Sequence, residues 1–349
     1  MRFLRKVPKL TVILALVLSM TTGAEVHAPS PAVAKPSQLP AVGVNFHGMW
    51  NDYTDSDRSA VLDKLATAGV RWVRIDIGWS WFEYAGKGRV DQAMLARANK
   101  LVDSARHRGI NVLLMVSNTP QWANGGLAEN VPPTDPADYA DFMRYIAGQF
   151  AGRVAAWQIW NEPNIDVFWS TTDPAQYAGL VRAAYPAIKS ADPNAKVVIG
   201  GVSLNDDPWL SRMYDAGVTG SYDVLAAHPY QNPSDRGPEF PDDGNIWTLD
   251  HIRAVRALMV ARGEVAKGLW ATEFGWSSDV VSEEVQADFL KRSLRFFAEQ
   301  HPYVSNVFWY NARAKATGNL VEDGYGLLRR DLTEKPAYKA LKTTLRSAR

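Results

Sequence analysis

Two carboxylates stand out by what surrounds them. Residues 155–164, AAWQIWNEPN, form a short apolar run that stops at Asn161-Glu162-Pro163. Such a run reads as a buried parallel strand that delivers a carboxylate at its C-terminal end. Side chains alternate along a strand, so Glu162 is expected to share a face with Trp160 and Gln158. Pro163 lacks an N–H and cannot continue a ladder, which puts the carboxylate where strand becomes loop. A run of the same design, LWATEFGW at 269–276, carries Glu273, 111 residues further on. Paired carboxylates amid tryptophans suit one chemistry. One group gives and takes a proton while the other attacks as a nucleophile, on a sugar whose apolar faces stack on indole rings.

Groups so far apart in sequence need a frame to bring them together. Apolar, strand-like runs fall at 42–47, 72–77, 111–116, 154–160, 196–199, 223–228, 269–273 and 306–310. Amphipathic helical patterns lie between them. Asp135-Pro136 opens one with Tyr139, Phe142, Met143, Ile146 and Phe150 at helical spacing; Asp173-Pro174 opens another with Tyr177, Leu180, Val181, Ala184 and Ile188. In each, the aspartate can cap and proline suits the first helical position. Eight strands alternating with helices predict an α/β fold, a (β/α)8 TIM barrel in a single domain over 41–349. An open doubly wound sheet is the alternative. It is weakened because the first strand ends in Asn45-Phe46-His47-Gly48, without a glycine-rich turn.

The N-terminus has a different character. Arg2, Arg5, Lys6 and Lys9 precede the apolar stretch 11–20, and small residues follow. That order predicts a secretory signal peptide over 1–28, cleaved near Ala24 or Ala28, with a core too short to span a membrane. Residues 29–40 read as a proline-rich linker. Export from a bacterium, to a secreted and extracellular location, is therefore expected. Losing Arg2, Arg5, Lys6 and Lys9 takes the formal charge from +1 to −3. No basic stripe points to nucleic acid or to a membrane surface after cleavage. Absent cysteines exclude a thiolate metal site, and the histidines lack metal-ligand spacing. No metal or cofactor is expected, and the partner should be a carbohydrate bound by a monomer.

In such a barrel the active site lies at the C-terminal strand ends. There stand His47, Arg74, Trp79, Trp122, Asn161, Glu162, His228, Tyr230, Glu273, Trp276 and Trp309, and aromatic platforms beside Asn, His and Arg donors complement a sugar. Arg74 could instead serve only as an ion-pair partner of Asp76, and each histidine could be a satisfied core residue. The motifs WNEPN at 160–164, ATEFGW at 271–276 and AHPY at 227–230 resemble the clan A retaining glycoside hydrolases. Within the clan the chain is most similar to family 39-like and cellulase-like enzymes, of the compact endoglycosidase type, over the whole of 41–349. The resemblance implies Glu162 as acid/base, Glu273 as nucleophile and Asn161 as the ligand of the sugar 2-hydroxyl. Arg74 and Tyr230 would keep Glu273 ionised, while Trp160 and the charge of Glu273 would help Glu162 hold its proton. Hydrolysis of O-glycosidic bonds in a poly- or oligosaccharide by double displacement follows as the expectation. A transglycosylase or a carbohydrate-binding pseudoenzyme on the same barrel is the alternative. Aromatic residues in the loops 78–89, 117–134, 229–246 and 311–335 favour an open groove and endo cleavage.

Overall fold

The computed structural model describes residues 38–348. The expected signal peptide, its cleavage points and the proline-rich stretch up to residue 37 lie outside the described residues. Eight parallel strands close into a barrel in chain order: β1 (Ala41–Asn45), β2 (Trp72–Gly78), β3 (Asn111–Ser117), β4 (Ala156–Ile159), β5 (Lys196–Ser203), β6 (Val224–His228), β7 (Gly268–Phe274) and β8 (Val304–Trp309). Each pairs with the next, and β8 returns to β1. The fold is a (β/α)8 barrel. Its helices begin as local chemistry dictates. Asp135 accepts from the Ala137 N–H to open Pro136–Gln149, and Asp173 accepts from the Ala175 N–H to open Pro174–Ala191. Their apolar stripes, Tyr139-Phe142-Met143-Ile146 and Tyr177-Leu180-Val181-Ala184-Ile188, are buried against the barrel.

Two cores result. The larger lies between strands and helices; the smaller fills the barrel's lower interior with Leu113, Ala156, Val198, Val224, Ala226, Trp270 and Phe308, and Trp72 packs against it. Gly43 makes room for this floor. A Cβ there would overlap the Phe308 ring and lie 2.9 Å from the Trp72 Cβ. Burying each large ring contributes about 1.5–3 kcal/mol.

Two departures from regular alternation shape the upper end. In β7 the register shifts between Ala271 and Phe274. Thr272 and Glu273 both face inward as a result, and Phe274 returns outward to pack on Phe297, 5.3 Å between ring centroids. In β4 the ladder stops at Ile159, and positive φ angles follow at Trp160 (67°) and Glu162 (39°). Such backbone costs of order 1–3 kcal/mol per residue and clusters at functional sites. The shared face expected for Trp160 and Glu162 is therefore not formed. Trp160 turns outward, packing edge-on against Trp169 at 4.9 Å and donating its indole N–H to the Phe168 carbonyl at 2.8 Å.

Candidate active site

Arg74, on β2, organises the barrel's upper interior. Its Nε donates to Gln158 Oε1 at 2.8 Å and its Nη2 to Asn161 Oδ1 at 2.7 Å. Nη1 donates to Asn45 Oδ1 at 2.8 Å and to Glu273 Oε1 at 2.5 Å. Its carboxylate partner is thus Glu273 and not Asp76. The other oxygen of Glu273 accepts from the Tyr230 hydroxyl at 2.9 Å. Burial works against a charge on Glu273, but the positive field of His228 and Arg74 and the Tyr230 hydrogen bond outweigh it. The carboxyl is held below its ordinary range and stays ionised. Tyr230 is pushed well above its usual value by burial and by the charge of Glu273, so it remains a donor.

Glu162 stands across from this group. His228 Nδ1 lies 2.8 Å from Glu162 Oε1, and His228 Nε2 lies 3.0 Å from Thr272 Oγ1. One oxygen of Glu162, one of Glu273 and a His228 nitrogen all fall within 4.8 Å of one another. Three such atoms could hold a metal ion. A cation there would have to compete with the Arg74 guanidinium and the Tyr230 hydroxyl for Glu273, so the donor set suits hydrogen bonding better.

Both carboxylates open onto a cavity of about 740 Å³. The loops after β4, β5 and β6 contribute Ile165, Phe168, Leu204 and Trp247 to its lining; those after β1 and β8 contribute His47, Trp50, Tyr310 and Lys315. His47 Nδ1 lies 2.7 Å from Asp76 Oδ1, and the Trp50 indole N–H donates to Asp76 Oδ2 at 2.7 Å. Burial opposes the charge on Asp76, yet His47 and these two bonds hold its carboxyl below the usual range. The His47 ring stacks on Trp50 with centroids 4.3 Å apart, and its Nε2 has no protein partner. Lys315 donates to the Tyr310 hydroxyl and to Glu322, each at 2.7 Å.

Of the residues named from sequence, Arg74, Asn161, Glu162, Tyr230, Glu273 and His47 line this cavity. Five do not. His228 is fully buried behind Glu162, where it touches that carboxylate and lies 3.8 Å from the one on Glu273. Trp79 donates its indole N–H to Glu83 Oε2 and Trp122 to the Glu83 carbonyl, and the two rings pack edge-on at 5.5 Å. Trp276 donates to the Arg236 carbonyl and Trp309 to that of Tyr325. Each of the four indoles is committed to protein groups that anchor loops. The aromatic walls are instead Trp50, Trp81, Phe168, Trp247, Tyr310 and Tyr325. Trp50 follows His47 by three residues, so attention to the whole first strand-end loop would have found it.

The family model described as cellulase (glycosyl hydrolase family 5) matches residues 32–315. Among curated proteins, a beta-xylosidase of Geobacillus stearothermophilus is 25% identical over 241 residues, covering 60% of this chain and 46% of that protein. A manganese-dependent endoglucanase of Phanerodontia chrysosporium is 24% identical over 206 residues, 56% of this chain and 50% of that protein. The matched region is thus half or less of either relative's length. Among solved structures, a family 39 glycoside hydrolase of Bacteroides cellulosilyticus WH2 superimposes with a TM-score of 0.73 at 25% identity, over 88% of this chain and 63% of that one. The GH5_18 enzyme of Streptomyces cattleya, solved with GlcNAc, gives 0.71 at 19% identity over 89% and 81%. That second likeness is one of fold.

Proposed function

The chain belongs to the cellulase family, glycosyl hydrolase family 5, and on that footing we propose that it is a retaining glycosidase with Glu273 as nucleophile and Glu162 as acid/base. The observation that best supports the mechanism is the carboxylate spacing. An oxygen of each lies within 4.8 Å of the other. Direct attack on an anomeric carbon calls for carboxyl groups roughly 5–5.5 Å apart, whereas admitting a water for inversion calls for roughly 6.5–9.5 Å.

In the first step a Glu273 oxygen attacks the anomeric carbon as the proton of Glu162 passes to the glycosidic oxygen, and the bond to the leaving sugar breaks. In the second, Glu162 takes a proton from water, the water oxygen bonds to the anomeric carbon and the ester to Glu273 breaks. Asn161 accepts from Arg74 through its Oδ1, which turns its amide N–H toward the cavity for a sugar hydroxyl. Proton NMR of the first-formed product tests the mechanism: retained configuration is expected, and an inverted anomer would sink it.

The substrate is a poly- or oligosaccharide, bound by a monomer and cut internally. Aromatic rings from different arcs of the barrel, Phe168 and Trp247 after β4 and β6 and Trp50 and Tyr310 after β1 and β8, support endo action over a one-ended pocket. A mixture of oligomers early in a digest is the expected outcome. Release of monosaccharide alone, at a rate indifferent to chain length, would overturn that part. A transglycosylase would use the same two carboxylates, and product analysis with an added acceptor sugar separates the two. Export is supported by the basic-apolar-small order of residues 1–28; a mature N-terminus just after Ala24 or Ala28, in protein from the culture medium, checks it.

A further inference from the structure

A small cleft of about 100 Å³ lies between the helices Asp55–Ala68 and Gln92–His107. Asp55, Arg58, Ser59, Arg97, Lys100 and Ser104 line it, and none of them lines the cavity over Glu273. Three cations thus meet one carboxylate. We propose that this cleft binds a tetrahedral oxyanion, phosphate or sulfate, between Arg58, Arg97 and Lys100. The site is independent of the glycosidic chemistry at Glu273.

Arg97 supplies the anchor. Both hydrogens of its Nη1 go to the loop after β1, to the Met49 carbonyl at 3.0 Å and to Asn51 Oδ1 at 2.8 Å. Among the described residues, its Nε and Nη2 find no acceptor and its charge finds no carboxylate. Those two nitrogens form the side of the guanidinium fork that takes an oxyanion with two parallel bonds. Asp55 is already engaged: Lys100 holds its Oδ2 at 2.6 Å and Arg58 its Oδ1 at 3.1 Å.

Arg58 adds a second guanidinium that is short of compensation. It is buried, and its Nε and Nη2 bond neutral carbonyls, Gly48 at 2.6 Å and Trp50 at 2.9 Å. Burial and the charge of Arg97 both disfavour its cation, and together they outweigh Asp55. Two like charges beside one cleft repel each other, and an anion seated between them is attracted by both. Ser104 Oγ accepts from Arg108 Nη1 at 2.7 Å, so its own hydrogen points elsewhere and makes it a further donor. The volume equals that of about three waters, enough for one small tetrahedral ion. It is well below the roughly 300 Å³ at which sites for larger ligands begin.

The test is titration calorimetry and thermal unfolding of the full chain with sodium phosphate, sulfate and chloride at constant ionic strength. One phosphate or sulfate per chain is expected, with Kd on the order of 1 mM, as befits a few charge-assisted hydrogen bonds. At about twenty times Kd, Tm should rise by about 2–4 °C over the chloride control. Arg97→Gln should weaken binding about tenfold and remove most of that rise, while Arg97→Lys should keep an intermediate affinity. Lys100→Gln, at an exposed position, should weaken binding about threefold. Neither side chain belongs to the apolar core and glutamine is a good helix former, so folding survives these changes. No heat of binding with either ion would overturn the site. So would a Tm rise that Arg97→Gln shares in full, because an excluded salt stabilises any fold. Glucose 6-phosphate and glucose 6-sulfate separate the sources. Tighter binding of the esters than of the free ions assigns the oxyanion to a substituted saccharide, and weaker binding assigns it to the free ion.

Discussion

The barrel holds two inward layers one pleat apart, and they are opposites. The lower contains Trp72, Ala156, Ala226, Trp270 and Phe308; two residues further along the same strands stand Arg74, Gln158, His228, Thr272 and Tyr310. The lower layer coheres by buried area, which is non-directional and tolerates repacking. The upper coheres by a polar network in which Arg74 alone serves four acceptors. A network of this kind adds little net stability over an apolar filling, while removing one member leaves the others buried and unpaired. The same strands thus carry a layer that holds the barrel and a layer that the barrel pays to hold. Substitutions should divide accordingly.

Largest of all should be Glu273→Ala, with kcat/KM falling on the order of 10⁴-fold or more on every substrate, because the proposed mechanism gives the covalent step to this carboxylate alone. Glu162→Ala should cost about 10²–10⁴-fold where the leaving group needs a proton. It should cost far less on activated aryl glycosides, with azide restoring turnover as the glycosyl azide. Wild-type rates from either variant on a polysaccharide would remove that residue from its assigned role.

Arg74→Met should combine both kinds of loss. It strands Glu273 in a buried site, at a cost of about 3–5 kcal/mol in stability. Glu273 is held below its ordinary value, so its contribution to stability is present above the unfolded pKa and is lost as pH falls through the folded one. The acid limb of kcat/KM should shift upward in the variant, toward neutrality. Arg74→Lys, which keeps the charge but not the planar fork, should fold more readily and show a smaller shift in the same direction. An unmoved limb in Arg74→Lys would mean that Tyr230 and His228 suffice.

Much of this division was legible in the sequence. All eight strands were marked by apolar runs, and Asp-Pro pairs marked two helix starts. That the two glutamates, Arg74, Asn161 and Tyr230 would line one cavity was legible because strand ends in a barrel converge. Strict alternation misled wherever the backbone departs from it: the β7 register shift turns Glu273 inward beside Thr272, and the positive φ at Trp160 sends that indole outward. Trp79, Trp122, Trp276 and Trp309 stand near strand ends, but their fate depends on where the indole N–H finds an acceptor. Glu83 shows this. An acid in the loop after β2, it is buried and binds both Trp79 and the Gly88 N–H, and its carbonyl holds Trp122. Such partners are distant choices of the tertiary fold, and no local pattern encodes them.

The smallest effect on catalysis should come from the lower layer, and it probes the comparison most finely. Phe308 packs against Trp72 and Trp270 with ring centroids 6.2 and 6.0 Å apart, and it makes no hydrogen bond through its side chain. Phe308→Leu removes part of a ring from a floor that can partly close around it, at a cost of about 1–2 kcal/mol in unfolding free energy. Tyr310, one pleat above on the same strand, stays in place through Lys315. Because no polar partner is orphaned, kcat/KM should stay within about twofold of the parent and the acid limb should not move. Denaturant unfolding measures the first quantity and a pH–rate profile the second. If Phe308→Leu moved the acid limb as Arg74→Lys does, the floor would be setting the position of Glu273, and the two layers would be one mechanical unit and not two.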